Sequence, residues 1–375
     1  QLIVLLTMLF IIIVFKKDYQ EIDSEITRYL QNNAKNTIEL SIEDLTNHDA
    51  FIVSELHGFH ENANIKYAFL TYLHQKKEVN VYLAEISFSS GYLINEYLHT
   101  GNEDLLKLVF SFYQGSSFYT KEEYHFYKKL YQYNQKVGKD KAISVYGIDI
   151  EHSLDSALYF YQYYTSNKVE INDILNKSYS DPLLNHLKKN IINYHEFYDT
   201  MDFQEREKYM YQNYLFLKDI YSINTFFSQL GVKHGYCDIL SNNYQSFAYY
   251  LNHDEASTVK DRVLSLMTFY KASFILESLT YKEKIIYHKK ILKSSYVHND
   301  LDIFQEKFTL INLKQNNSPF SSELIWYDLT ENNSDKVTTD YYQYIILIYN
   351  SLACEPLDYK NTISTYEIIL KEIWP

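Results

Sequence analysis

Apolar and polar positions along the chain alternate between two periods. Ala50-Phe51-Ile52-Val53-Ser54 is a short run, apolar but for Ser54, of the kind a buried strand makes. Asn62 to Lys77 then carries Ile65, Phe69, Tyr72 and Leu73 on one stripe, which predicts an amphipathic helix. Asn80-Val81-Tyr82-Leu83-Ala84 predicts a second strand. Strand, helix and strand in this order form a βαβ unit, whose crossover makes the two strands parallel. Further helices are expected over Tyr19–Leu40, Ser90–Tyr97, Glu103–Phe112 and Lys121–Val137, and a third strand over Ile143–Ile148. From Leu154 to Gln229 the pattern is helical nearly throughout, with one break at Asp181-Pro182. Val263–Phe269, Phe308–Leu313 and Tyr344–Tyr349 read as later strands. The Asn-rich stretches at Gln315–Ser318 and Glu331–Ser334 read as loops. The expected fold is α/β: a central, mostly parallel sheet flanked by helices, with a long helical insertion over about 152–230.

The first residues follow neither period. Leu2 to Phe15 is apolar except for Thr7 and is followed by Lys16-Lys17. Fourteen such residues are shorter than the about 20 of a full span. No small-residue cleavage site follows them. Residues 1–17 are therefore expected to be a hydrophobic membrane anchor, with an imperfect signal segment as the alternative, and 18–375 a single α/β domain. The body is expected on the extracytoplasmic side, although the anchor alone does not set which side it faces.

Composition narrows the chemistry. Of 375 residues, 35 are Lys or Arg and 48 are Asp or Glu, a net charge of −13. Nucleic acid is therefore excluded as a partner, because such binding needs a positive surface. The 40 Tyr and 22 Phe make the core aromatic, with hydroxyls that need partners. Only 8 Gly and 4 Pro are present, and all eight glycines lie between Gly58 and Gly235. No GxGxxG, GxxxxGK[ST] or GxSxG occurs. His60-Glu61 and His195-Glu196 begin HExx pairs, but Asn64 and Asp199 stand where a zincin has its second histidine. Cys237 and Cys354 have no framework and are expected to be unrelated thiols.

Ligands of open parallel sheets bind beyond the carboxyl ends of the strands. Three predicted strands end on a carboxylate: Glu55, Glu85 and Asp149. The first also brings His57 and His60, and Gly231-Val232-Lys233-His234-Gly235 sets a histidine between glycines. Carboxylates on neighbouring strands would stand about 5 Å apart at the backbone. Their repulsion would raise one pKa or demand a cation. That fits either an acid–base site with histidine or a mixed Glu/His/Asp metal site. Ordinary roles stay open for each residue: helix caps for Glu85 and Asp149, a helix start for His60, a buried histidine for His234.

At these residues the chain resembles the erythromycin esterase-like superfamily. Ile52-Val53-Ser54-Glu55-Leu56-His57-Gly58 is similar to its G-E-x-H-G or G-E-x-x-H-G opening, and Tyr82-Leu83-Ala84-Glu85 to its second motif. Asn95-Glu96-Tyr97-Leu98-His99-Thr100-Gly101 looks like its N-x-Y-L-x-T-G segment, and Gly147-Ile148-Asp149 like its G-x-D strand. The stretch from Arg206 to Asn213 looks like its R-[DE]-x-x-M-x-x-N helix, and Lys233-His234-Gly235 fits its late histidine. The matches span about residues 50–270.

The resemblance implies a hydrolase that activates water against an ester or related acyl bond of a small molecule. His57 would be the general base, oriented by Glu55 and Glu85. Arg206 and His234 would hold substrate or the oxyanion, with Asp149 and His60 as further substrate-binding residues. Ser54 departs from the usual Gly. The short E-x-H spacing is shared with the related Tiki-type metalloproteases and haem-binding lipoproteins. Two alternatives follow. One is a divalent-metal-dependent hydrolase or peptidase with Glu55, His57, Glu85 and His234 as ligands. The other is a non-catalytic protein binding haem or another small ligand.

Overall fold

The computed structural model describes residues 24–281, 284–329 and 335–357. The expected anchor at residues 1–17 lies outside them. Among the described residues no helix is long and apolar enough to cross a membrane.

The strands are β1 (Ala34–Lys35), β2 (Ala50–Glu55), β3 (Val81–Ser87), β4 (Ser144–Asp149), β5 (Phe226–Gly231), β6 (Val263–Tyr281), β7 (Lys284–Ser294), β8 (Phe308–Asn312) and β9 (Tyr344–Tyr349). They form one sheet in the order β1-β8-β9-β6-β2-β5-β3-β4, with β7 paired to β6. From β9 to β4 every neighbouring pair is parallel. The pairings of β1 with β8, β8 with β9 and β6 with β7 are antiparallel. This is the expected α/β class with a mostly parallel sheet.

Both faces of the sheet are covered, which is why its inner strands read as continuous apolar runs. On β2 every residue is buried. Phe51 and Val53 enter one core together with Phe69 and Leu73 of α3 (His60–Lys77) and Phe126 of α6 (Lys121–Val137). Ala50 and Ile52 enter the opposite core, with Phe160 of α7 (Leu154–Thr165), Ile191 of α9 (Pro182–Thr200) and Met210 of α10 (Phe203–Tyr221). Burying each such large side chain contributes about 2 kcal/mol. The break expected at Asp181-Pro182 is a helix start: Asp181 accepts from Leu184 N and Pro182 takes the first helical position.

Two glycines set close approaches. A Cβ on Gly91, in α4 (Phe88–Thr100), would stand 2.0 Å from Gly147 N, so only glycine lets this helix rest on β4. Gly58 turns the chain out of β2 at φ +90°, and a Cβ there would stand 2.3 Å from Leu276 O. Its carbonyl accepts from Leu276 N and Cys354 N, both at 3.0 Å, which pins the His57–Gly58 turn to β6 and to the segment after β9.

The structure corrects the expected strand order. Phe226–Gly231, read as the end of a helical stretch, is β5, and it lies between β2 and β3. The helical stretch expected from Leu154 with one break is four helices: α7, α8 (Ile171–Asn176), α9 and α10. Strand β6 runs to Tyr281 rather than Phe269, and its extension pairs with β7. The two cysteines are free and buried.

Candidate active site

Because β5 intervenes, Glu55 at the end of β2 and Glu85 on β3 stand two strands apart, about 10 Å at the backbone rather than 5 Å. His57 fills the gap between their side chains. Its Nδ1 is 2.9 Å from Glu55 Oε1, and its Nε2 is 3.7 Å from Glu85 Oε2. The imidazole is 43% exposed and opens into a cleft of about 490 Å³, which Glu55, Glu85, Asp149 and Arg206 also line.

Each carboxylate is held from behind. Gln229 Nε2 donates to Glu55 Oε2, and also to Asn62 O at 2.9 Å. Glu85 Oε2 accepts from Gly231 N at 2.6 Å, and its Oε1 accepts from Arg206 Nη2 at 3.1 Å. His234 Nε2 is also 3.1 Å from that oxygen. Arg206, in the first turn of α10, donates from Nε and Nη2 to both oxygens of Asp149, at 2.9 and 2.5 Å. His152 Nε2 completes Asp149 at 2.8 Å. Consecutive helical positions point about 100° apart. Arg206 can therefore serve Asp149 and Glu85 while Glu207 reaches His234, whose Nδ1 lies 2.7 Å away as an ion-pair contact without hydrogen-bond alignment. Glu207 itself accepts from Tyr244 Oη at 2.5 Å and Phe247 N at 2.7 Å.

These pairings decide the charge states. Burial disfavours the charged form of His57, but Glu85 and Glu55 outweigh it and raise its pKa to about 10. For His234 burial is likewise outweighed, by Glu207 and Glu85, and its pKa is also raised to about 10. Burial pushes Glu85 up, yet His234 and His57 hold it well below the usual carboxylate range. Burial also pushes Asp149 up, and Arg206 followed by His152 brings it well below. The resting site at neutral pH thus alternates in charge along His57, Glu85, Arg206 and Asp149, with His57 protonated.

Six of the sequence-predicted residues come together here: Glu55, His57, Glu85, Asp149, Arg206 and His234. His234 stands behind Glu85, 6% exposed, and does not line the cleft. His60 is elsewhere, its Nδ1 3.0 Å from Glu122 Oε1. As a metal set, Glu55, His57, Glu85 and His234 do not converge. Glu55 and Glu85 lie at opposite nitrogens of one imidazole, and Arg206 already holds Glu85. Among the described residues no group of three or more His, Cys, Asp or Glu could hold a metal ion.

Sequence reasoning did not single out Gln229, Glu207 or His152. Gln229 lies on the unrecognised strand. The other two were within reach, Glu207 as the neighbour of Arg206 and His152 as the imidazole three residues after Asp149.

Solved structures share this architecture. A succinoglycan biosynthesis protein superposes with a TM-score of 0.62 at 14% identity, covering 90% of this chain and 100% of its own. An erythromycin esterase mutant, EreC in its open conformation, gives 0.58 at 10% identity, over 84% of this chain and 94% of its own. The fold is that of an erythromycin esterase. A Bacillus cereus protein gives 0.59 at 14% identity, over 88% of this chain and 98% of its own. No protein-family profile matches the chain, and no curated protein matches it in sequence. At these identities the likeness to the erythromycin esterase-like superfamily is one of fold, and the chemistry rests on the site.

Proposed function

We propose that the chain is a hydrolase that activates water with His57 to cleave an ester or related acyl bond of a small molecule. The observation that carries this is a cleft-facing imidazole gripped on both sides, Nδ1 by Glu55 and Nε2 towards Glu85. Glu55 fixes the tautomer by accepting from Nδ1–H, which leaves Nε2 as the base in the neutral ring.

Once the resting imidazolium has lost its Nε2 proton to solvent, water gives its proton to Nε2 and its oxygen bonds to the acyl carbon. The charge that develops on the carbonyl oxygen faces Arg206, whose Nη1 takes no part in the bonds to Asp149 and Glu85. The imidazolium then returns the proton to the leaving oxygen as its bond to the acyl carbon breaks. The products are an acid and an alcohol. His234 acts on this reading as a positioning residue that keeps Glu85 charged and in place. The shared fold with an erythromycin esterase supports the reaction class as an analogy.

The test is a screen of simple esters and lactones with wild-type and His57→Ala protein. Turnover that falls by at least about 10³-fold in the variant is expected for loss of a general base with its bound water. Equal turnover in the two proteins removes His57 from the reaction. A ligand retained stoichiometrically by the wild type without turnover would replace the hydrolase by a binding protein.

A further inference from the structure

We infer that the floor of the cleft beyond His57 is a binding subsite for a neutral, polyhydroxylated group, a sugar ring carried by the ester. This rests on the hydrolase reading above and names the substrate class for it.

The floor is polar where a purely structural core would be apolar. Lys66 of α3 donates from Nζ to both oxygens of Glu123 on α6, at 2.6 and 2.7 Å. The two side chains are 6% and 11% exposed, and both line the cleft. A buried ion pair is weak support for stability, because desolvation offsets its attraction. In the lining of the same cleft, two polar atoms are buried without a partner: Tyr127 Oη and Gln229 Oε1. Tyr127 is fully buried, Gln229 is 4% exposed, and both line the same cleft. Orphaned buried groups of this kind are rare and costly, and each calls for an explanation.

Their chemistry specifies the occupant. Tyr127 Oη can donate, while Gln229 Oε1 can only accept, so a matching ligand offers acceptors and donors together, as hydroxyls do. The charge pairing favours a neutral occupant. Each of the five lining carboxylates, Glu55, Glu85, Glu122, Glu123 and Asp149, has a Lys, Arg or His partner. The lining carboxylates thus all stand against a basic side chain, and the Lys66–Glu123 pair is neutral as a unit wherever its proton sits. Phe59, Phe112 and Phe118 supply apolar walls. A hydroxylated ring with an apolar face meets all three conditions.

The experiment compares methyl 6-O-acetyl-β-D-glucopyranoside with cyclohexylmethyl acetate, an ester of similar size without hydroxyls. Binding is measured by calorimetry on the His57→Ala protein with and without Tyr127→Phe, and acetate release on the wild type. The sugar ester should bind at least tenfold more tightly than the cyclohexyl ester, and Tyr127→Phe should erase that preference. The same substitution in the otherwise wild-type protein should leave the melting temperature equal or higher, because it deletes an orphaned hydroxyl. Equal binding of the two esters overturns the subsite, as does a preference that survives Tyr127→Phe or a lowered melting temperature. A sugar preference without acetate release keeps the subsite and rejects the hydrolase. Acetate release without a sugar preference does the reverse.

Discussion

Replacing Glu55 with Gln keeps the shape of the side chain and removes the charge 2.9 Å from His57 Nδ1. The ring opens to the cleft, so an effective dielectric of about 40 is appropriate, between the about 20 of a protein site and the about 80 of water. At that value the pairing is worth about 3 kcal/mol, or about 2 pKa units. The more distant Glu85, at 3.7 Å, supplies about 1.5 units by the same reckoning. His57 titrates near 10 in the wild type, and loss of the Glu55 contribution should bring it near about 8 in Glu55→Gln.

Long-range ¹H–¹⁵N correlation spectra of the imidazole, recorded from pH 5 to 11, read both values directly. The same groups set the pH profile of turnover. If neutral His57 is the base, kcat/KM of the wild type climbs about tenfold per pH unit towards 10, and in Glu55→Gln the climb ends about two units lower. The reasoning fails if wild-type His57 titrates near its ordinary value, or if Glu55→Gln moves it by less than about half a unit.

Three further outcomes follow from the same geometry. Arg206→Met removes the guanidinium shared by buried Asp149 and Glu85 and leaves only imidazoles beside them, and urea denaturation should show a loss of about 3–5 kcal/mol; a loss below about 1 kcal/mol would mean that the pairing is not structural. Depressed carboxylates stabilise the fold above their unfolded pKa, so stability should fall as pH drops below about 4, where Glu85 and Asp149 take up protons in the unfolded chain while the folded site still holds them charged. Raised histidines stabilise it fully below about 6.5 and lose that contribution as pH rises towards 10, so melting temperatures across pH 3–11 should peak between about 4.5 and 6.5. Gly58→Ala must hold φ +90° and push its Cβ against Leu276 O; it should cost about 2 kcal/mol or more in thermal or urea melts and reduce turnover by moving His57.

The chain's economy with glycine governs which parts of the fold can be read from sequence. Helices usually stop on a glycine at positive φ, which marks the end of the pattern. Here α3, α7, α9 and α10 end on Glu78, Ser166, Met201 and Ser222, all at positive φ between 52° and 62°. Without that punctuation the stretch from Leu154 ran on into Phe226–Gly231, and a six-residue apolar segment cannot be told from buried helix by period alone. Lys121–Val137 had both of its ends marked, by Thr120 as cap and Gly138 as stop, and its predicted bounds match the helix.

The consequence for the site is specific. The carboxylates were legible because each follows an apolar strand and so falls on the one edge where such a sheet presents its ligands. Their spacing was not, because it depends on β5, which separates β2 from β3. Had Glu55 and Glu85 been on adjacent strands, their repulsion would have had to be relieved by a proton or a cation. With β5 between them the backbone gap is wide enough for an imidazole, and β5 itself adds Gln229 to hold Glu55 and Gly231 N to hold Glu85. The strand that was hardest to read is thus the one that turns two strand-end carboxylates into a grip on His57.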